Sequence, residues 1–359
     1  MNLVKFFRES LIEASRFFMP MDVQENISLA PLTTLKVGGP ARYFAAARSE
    51  DDIAEAFLFA DSLDLKVFVL GGGSNVLVSD DGFDGLVLKI ELRGILSASS
   101  SSVRAMAGED WDAFVKWCVD GELAGVECLC GIPGTVGGTP VQNVGAYGQE
   151  VSETIVSVRC FDRKSRQFVD LSNSECEFEY RKSIFNSTHR ERYVVASVTF
   201  ALEQSGQPKL VYKDLREYFG DKVPTLSDVR EAVLKIRRAK SMVIDENDSN
   251  SKSAGSFFKN PIIDQARFDE IAARFEKVPH FPAGQGMIKI PAAWLIEQAG
   301  FQKGYAIGNA GISTNHTLAI VNRGDATAVE LISLKESIQN AVESHFAIKL
   351  IPEPVFVGF

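Results

Sequence analysis

Glycine clusters are the first feature of this chain of 359 residues that could do chemistry. Gly71, Gly72, Gly73, Ser74 and Asn75 follow an apolar run at 66–70. A second cluster holds Gly131, Ile132, Pro133, Gly134, Gly137 and Gly138, and a third lies around Gly38. Glycine-rich turns between strands aim several backbone N–H groups at one point, a nest that suits a pyrophosphate. They also occur as plain tight turns in β-rich domains, and local residues leave both readings open. The dinucleotide fingerprint is not met. Val76 stands where its third glycine would be, and residues 76–90 read as strand, turn and strand where that motif needs a helix.

Charged residues add a second set. Arg237, Arg238 and Lys240 close a helix and concentrate cations in a chain of formal net charge -9. Such residues are also ordinary company for a helix C-terminus. Glu353 sits between Pro352 and Pro354 in a stretch that reads as an otherwise buried strand, where a carboxylate needs a partner. Arg181, in Tyr180-Arg181-Lys182-Ser183, has the solvated surface arginine as its default reading. Ser256 can cap a turn or strand, and its phenylalanine neighbours make a dry setting for its hydroxyl. The acidic balance argues against a general nucleic-acid binder. Five cysteines lack disulfide or zinc spacing, so a reduced cytoplasmic protein without a metal site is expected.

The elements that must carry these residues follow from periodicity. Short β-branched and aromatic runs at 66–70, 76–78, 85–90, 155–161 and 192–202 read as strands. A helix is expected from Trp111, after a turn at 108–110. Another is expected from a cap at Ser227 and Asp228, ending on the basic residues. The polar stretch 245–255 reads as an exposed loop. Helices near 262–276, 291–299 and 325–346 follow, with strands at 305–308, 317–322 and 347–357. Residues 1–25 read as an amphipathic helix docking on the protein's own body, with membrane-surface binding as the lesser alternative. No apolar run approaches the ~20 residues of a membrane span. The boundary between a cofactor half and a substrate half is expected near 205–225.

In order, the segments 70–83, 131–150, 180–185, 254–261 and 351–358 resemble the signature of the UDP-N-acetylenolpyruvoylglucosamine reductase family, flavoenzymes of bacterial peptidoglycan synthesis. The resemblance runs from about Asn26 to Gly358. It implies an α+β chain: an FAD-binding fold of the vanillyl-alcohol-oxidase (PCMH) type in two subdomains, about 26–92 and 93–208. A C-terminal α+β substrate-binding domain at 209–359 would return its last strand to the active site. It also implies NADPH-dependent reduction of UDP-N-acetylglucosamine enolpyruvate to UDP-N-acetylmuramate through non-covalent FAD, in a cytoplasmic monomer.

Residue roles come with the resemblance. Arg181 and Glu353 would clamp the substrate carboxylate, and Ser256 would donate a proton. The glycine loops at 71–75 and 131–137, with Arg237, would hold FAD. Tyr180, Tyr212, Lys240, Asn260 and His316 would bind substrate. Tyr212 resembles the mobile, substrate-closing tyrosine loop of one family subtype. The register at Lys240 is the weakest, because the link 241–255 is longer than is usual in relatives. Two other readings stand beside this one: a related FAD-dependent oxidase or dehydrogenase acting on another small molecule, and a non-catalytic flavin or nucleotide-binding module. A binding module has no use for a proton donor, which sets it apart from the reductase.

Overall fold

The computed structural model describes residues 21–97 and 101–359, so most of the expected N-terminal helix lies outside the described residues. The chain forms two compact units. One comprises residues 21–28, Pro40–Gly73 and Gly82–Arg237; the other comprises Leu29–Gly39, Ser74–Asp81 and Arg238–Phe359. The last division between the units falls after Arg237, inside helix Leu226–Ala239. That helix buries Val229, Ala232 and Val233 in the core of the first unit. Two early segments also join the second unit. Strand Val76–Val78 pairs in parallel with Val355–Val357, and Leu35, Val37 and Leu77 enter that unit's core. Partners so far apart in sequence leave no local trace.

Among the described residues the first unit holds two larger sheets and two two-stranded ones. In the four-stranded sheet, Val23–Ser28 runs antiparallel to Pro40–Ala47, which pairs in parallel with Phe83–Ile90, then Val67–Leu70. Tyr43, Ala45 and Ala47 alternate inward. Helix Glu50–Ser62 packs against this sheet, and was not among the expected elements. Its start is nevertheless spelled out by Ser49 and Asp52, which form a reciprocal capping box. Its period is blurred by Leu58, which is exposed.

The five-stranded antiparallel sheet runs Gln167–Ser172, Ile155–Asp162, Tyr193–Ala201, Ser102–Met106, Ile95–Ser97. Helix Trp111–Asp120, capped by Asp110, seats Phe114 against Phe200 with ring centroids 4.9 Å apart. Each such fully buried ring contributes about 1.5–3 kcal/mol by leaving water. All five cysteines are free and buried.

In the second unit, helix Ala328–Phe346 buries Leu331, Leu334, Ile338, Val342 and Phe346 along one face. It packs beside the antiparallel strands Ala306–Ile307, Ala310–Ile312 and Ile320–Asn322. A further small sheet joins Ile262–Asp264, Met287–Lys289 and Phe281–Pro282, so the expected helix at 262 begins only at Gln265. The expected strand 347–357 shrinks to Val355–Val357. Pro352 and Pro354 have no N–H to give a ladder.

Two further expectations are corrected. Helix Leu226–Ala239 is capped by Thr225, whose N–H and hydroxyl both donate to Asp228 at 2.8 and 2.7 Å; Ser227 lies inside the helix. The polar stretch 245–255 is exposed only in part. Thr34 donates to the Ser253 carbonyl at 2.6 Å, Thr314 N donates to Asn250 at 2.9 Å, and Ser253 and Ala254 are buried.

Candidate active site

In the first unit the glycine loops meet backbone to backbone. A Cβ on Gly72 would stand 2.5 Å from the Gly134 Cα, and one on Gly137 would stand 2.5 Å from the Ala107 Cβ. The second loop is laid down by its own ladder: Trp111 N to Gly134 O at 3.1 Å, Val136 N to Glu109 O at 2.9 Å, Gly137 N to Ala107 O at 2.9 Å. Among the described residues, the N–H groups of Gly72, Gly73, Gly134 and Thr135 donate to no protein acceptor. The buried Thr135 hydroxyl likewise has no protein partner. Orphan donors of this kind call for an acceptor, and pyrophosphate oxygens are one. The cradle therefore fits the phosphates of FAD.

Three residues that sequence reasoning missed hold the cradle in shape. Asp112 accepts from Gly131 N at 2.6 Å and is gripped by both terminal nitrogens of Arg230, at 2.6 and 2.8 Å. Burial alone would raise its pKa, but Arg230 and the Gly131 N–H outweigh that and hold it below the usual value. The Lys89 ammonium donates to the Gly71 carbonyl at 2.5 Å. In a trans peptide the next N–H points the opposite way, so Lys89 turns the Gly72 N–H out of its own side of the loop. Acidic character in a helix's first turn was readable at Asp112; nothing local marked Arg230 or Lys89.

Arg237 is only 7% exposed, so the surface-charge reading fails for it. Burial lowers its pKa, opposed by Tyr147, Cys130 and Asp112, and its side chain hydrogen-bonds Tyr147. Burial in turn pushes the Tyr147 phenol up to about 12. The Tyr212 ring stands edge-on to Tyr147 with centroids 5.3 Å apart. Arg238 is exposed and falls in the second unit, so the basic helix end is not one cluster.

Arg181 is also no solvated arginine. Its turn is closed by a Glu179–Lys182 bridge, it takes φ +55°, and its Nη2 donates to Gly145 O at 2.8 Å. Its guanidinium lies 5.5 Å from the Tyr180 ring. A left-handed backbone at a non-glycine residue is strain that surrounding structure must hold. Here Ser183 holds it, capping residues 184–186 and donating to Val141 O at 2.6 Å.

The second unit collects Ser74, Asn75, Lys240, Ser256, Asn260, His316 and Glu353. Glu353 N donates to Phe257 O at 2.9 Å, and Lys259 N to Ile351 O at 2.9 Å. Val355 N donates to Asn75 O at 2.9 Å, and Asn75 Nδ2 to Glu353 O at 3.3 Å. Three backbone runs thus bring Ser256, Glu353 and Asn75 side by side. Phe257 and Phe258 are fully buried beneath them. The buried-strand reading of Glu353 is corrected: Ile351 is 61% exposed and Glu353 half-buried. Asn260 Oδ1 accepts from Ala292 N at 2.9 Å, capping helix Ala292–Gln298. Asn315 Nδ2 donates to Ser241 Oγ at 2.9 Å, which sets the neighbours of His316 and Lys240 against each other.

Residues 247–357 match the family described as UDP-N-acetylenolpyruvoylglucosamine reductase, C-terminal domain, and residues 41–169 match an FAD binding domain. The UDP-N-acetylenolpyruvoylglucosamine reductase of Thermobifida fusca is 44% identical over 356 residues, covering 95% of this chain and 99% of that protein. Its Streptomyces coelicolor counterpart is 44% identical over 357 residues, covering 96% and 92%. The chain belongs to the UDP-N-acetylenolpyruvoylglucosamine reductase family. A solved reductase of this family from Thermus caldophilus shares the fold, with TM-score 0.66 and 24% identity over 94% of this chain and 99% of that one. As a member of the reductase family the chain is an FAD-dependent oxidoreductase of α+β class, with an FAD binding domain and the reductase C-terminal domain. Among the described residues no helix is long and apolar enough to cross a membrane.

Proposed function

We propose that this chain reduces UDP-N-acetylglucosamine enolpyruvate to UDP-N-acetylmuramate with NADPH, a step in bacterial peptidoglycan precursor synthesis. The near-full-length identity to reductases named for that substrate carries the reading. Bound FAD supplies a two-electron hydride relay between nicotinamide and substrate. The chain's own residues do the rest. Gly72, Gly73, Gly134 and Thr135 hold the pyrophosphate through their N–H groups, Ile132 and Pro133 shape that loop, and Arg237 supplies a nearby positive charge.

Negative charge develops on the enolpyruvyl carboxylate and the adjacent carbon as the double bond is reduced. Arg181 and Glu353, the latter as the neutral acid able to donate to an anion, clamp that carboxylate, and fixed groups aimed at developing charge are the strongest single aid to such a step. The Ser256 hydroxyl gives its proton to the adjacent carbon. Tyr180, Lys240, Asn260 and His316 bind sugar and diphosphate, and Tyr212 closes over them. With Oδ1 of Asn260 already accepting from Ala292, its Nδ2 is the group that donates to substrate. The enzyme works as a cytoplasmic monomer, with FAD held non-covalently.

The test is steady-state turnover with product analysis. NADPH consumption that depends on the enolpyruvyl substrate, with a product two hydrogens heavier, is expected. Consumption that depends on oxygen and yields peroxide would assign the chain to the oxidases instead.

A further inference from the structure

Glu127 is a carboxylate with no part in the chemistry above, yet it is completely buried. Both its oxygens are used. Oε2 accepts from Gly125 N at 2.8 Å, and Oε1 accepts from Gln149 Nε2 at 2.7 Å and from Lys209 N at 3.0 Å. Gln149 in turn accepts from Cys128 N at 2.8 Å, and the Cys128 thiol donates to Lys209 O at 3.5 Å. The Lys209 ammonium reaches both oxygens of Glu153 at 2.7 Å. Burying a charge is costly unless several donors meet it. Three converge here, and two of them come from segments flanking predicted functional loops.

Beyond Lys209 the chain changes character. Val211 is 54% exposed and Tyr212 40% exposed. The Tyr212 carbonyl accepts from Leu215 N and Arg216 N at 3.1 Å, opening helix Lys213–Phe219 with Leu215 fully buried, but the two side chains rest lightly. Val211 rests on Gly148, at φ +84°, where a Cβ would come within 2.7 Å of Val211 Cγ2; Tyr212 touches only the edge of the Tyr147 ring in its aromatic contact. The root is pinned by charge-assisted hydrogen bonds, while the Val211 and Tyr212 side chains lean on a glycine and a ring edge.

We infer that Glu127 is a positioning residue that anchors the root of the Tyr212 segment, so that the tyrosine moves about a fixed base at Lys209. This rests on the reading of Tyr212 as the residue that closes over substrate. The same carboxylate holds 125–128, which runs straight into the flavin loop at Gly131, so the base of the moving segment and the flavin loop share one anchor. A neutral amide cannot replace it: all three groups facing the oxygens are donors, and an amide would turn its own N–H₂ on one of them.

Residue-resolved hydrogen exchange on the wild-type holoenzyme tests the anchor directly. The Lys209 amide is expected to exchange at least about 100-fold more slowly than those of Val211 and Tyr212. In Glu127→Gln holoenzyme, exchange across 207–212 rises about tenfold or more while the sheet amides hold. Its KM for the enolpyruvyl substrate rises about tenfold, with flavin reduction by NADPH kept. A Lys209 amide as fast as that of Tyr212, in wild type and independent of whether the variant folds, overturns the anchor. So does a variant whose local exchange is unchanged. Should local exchange rise while KM stays put, the substrate-closing role of Tyr212 is what falls.

Discussion

The amide of Glu353 donates to the carbonyl of Phe257 at 2.9 Å, so the backbone lays the carboxylate-bearing turn and the serine-bearing segment together. Side-chain changes at either position therefore leave the contact standing. Ser256→Ala removes a hydroxyl and little bulk, so the fold and FAD loading survive. Reduction of flavin by NADPH should proceed near the wild-type rate, while reoxidation by substrate slows on the order of 10²–10⁴-fold. Ser256→Cys should recover part of the loss. Stopped-flow flavin absorbance in each half-reaction checks this. Reoxidation of Ser256→Ala at the wild-type rate removes serine from the proton-donor role.

Gly72 is where the cradle tolerates no side chain. A Cβ there meets backbone at 2.5, 2.9 and 3.2 Å, and backbone cannot yield as a flexible side chain can. Gly72→Ala should weaken FAD binding roughly 10- to 100-fold, in line with overpacking costs of about 1–3 kcal/mol. Gly138→Ala is the control, because its Cβ meets nothing within 4 Å. Fluorescence titration of apoprotein with FAD separates them. Equal affinities for the two variants would contradict the cradle.

Acid should release FAD through Asp112. Its pKa is depressed in the folded state, so its contribution is present above the ordinary carboxylate value and is lost as pH falls through the folded value. FAD retention is expected to hold to about pH 4 and to fall below it. Asp112→Asn keeps an acceptor for Gly131 N but loses the charge that grips Arg230. It should bind FAD more weakly at neutral pH and show a shallower acid dependence. Supernatant flavin fluorescence against pH reads both, and an unchanged profile in the variant would count against this role.

Covalent attachment of the flavin is not expected. Cys128 and Cys130 follow the first glycine loop in sequence and are the thiols a tether would need. Both are fully buried, and burial pushes their thiols up, that of Cys130 to about 12. The thiolate is the nucleophile, and these do not form it near neutral pH. Acid precipitation should leave a colourless pellet and a yellow supernatant. A yellow pellet would overturn the expectation.

Much of this fold was legible because its signals are local. The strand at 155–161 and the helix at Trp111 announce themselves by period and cap. The glycine loops were legible as turns, but their meeting was not. That Gly72 faces Gly134 depends on two sheets formed by segments distant in sequence. The same holds for the unit boundary, since Val76–Val78 belongs with Val355–Val357 only through a pairing that no window of sequence contains. Arg181 and Ser256 were named through resemblance. Lys89, Asp112, Arg230 and Glu127 were missed because each acts on a group far along the chain, a backbone group for three of them and the Asp112 carboxylate for Arg230, and no motif spacing records that. Arg237 and Arg238 show the limit most plainly. Adjacent and chemically alike, one is buried and the other exposed.

Flavin absorbance under anaerobic conditions shows whether electrons pass from NADPH through bound flavin to an enolpyruvyl carboxylate, as the proposed function requires. Addition of NADPH should bleach the yellow holoenzyme, and subsequent addition of UDP-N-acetylglucosamine enolpyruvate should restore the colour with one UDP-N-acetylmuramate formed per flavin. A bleached enzyme that stays bleached with that substrate, and regains colour only when air is admitted, would contradict it.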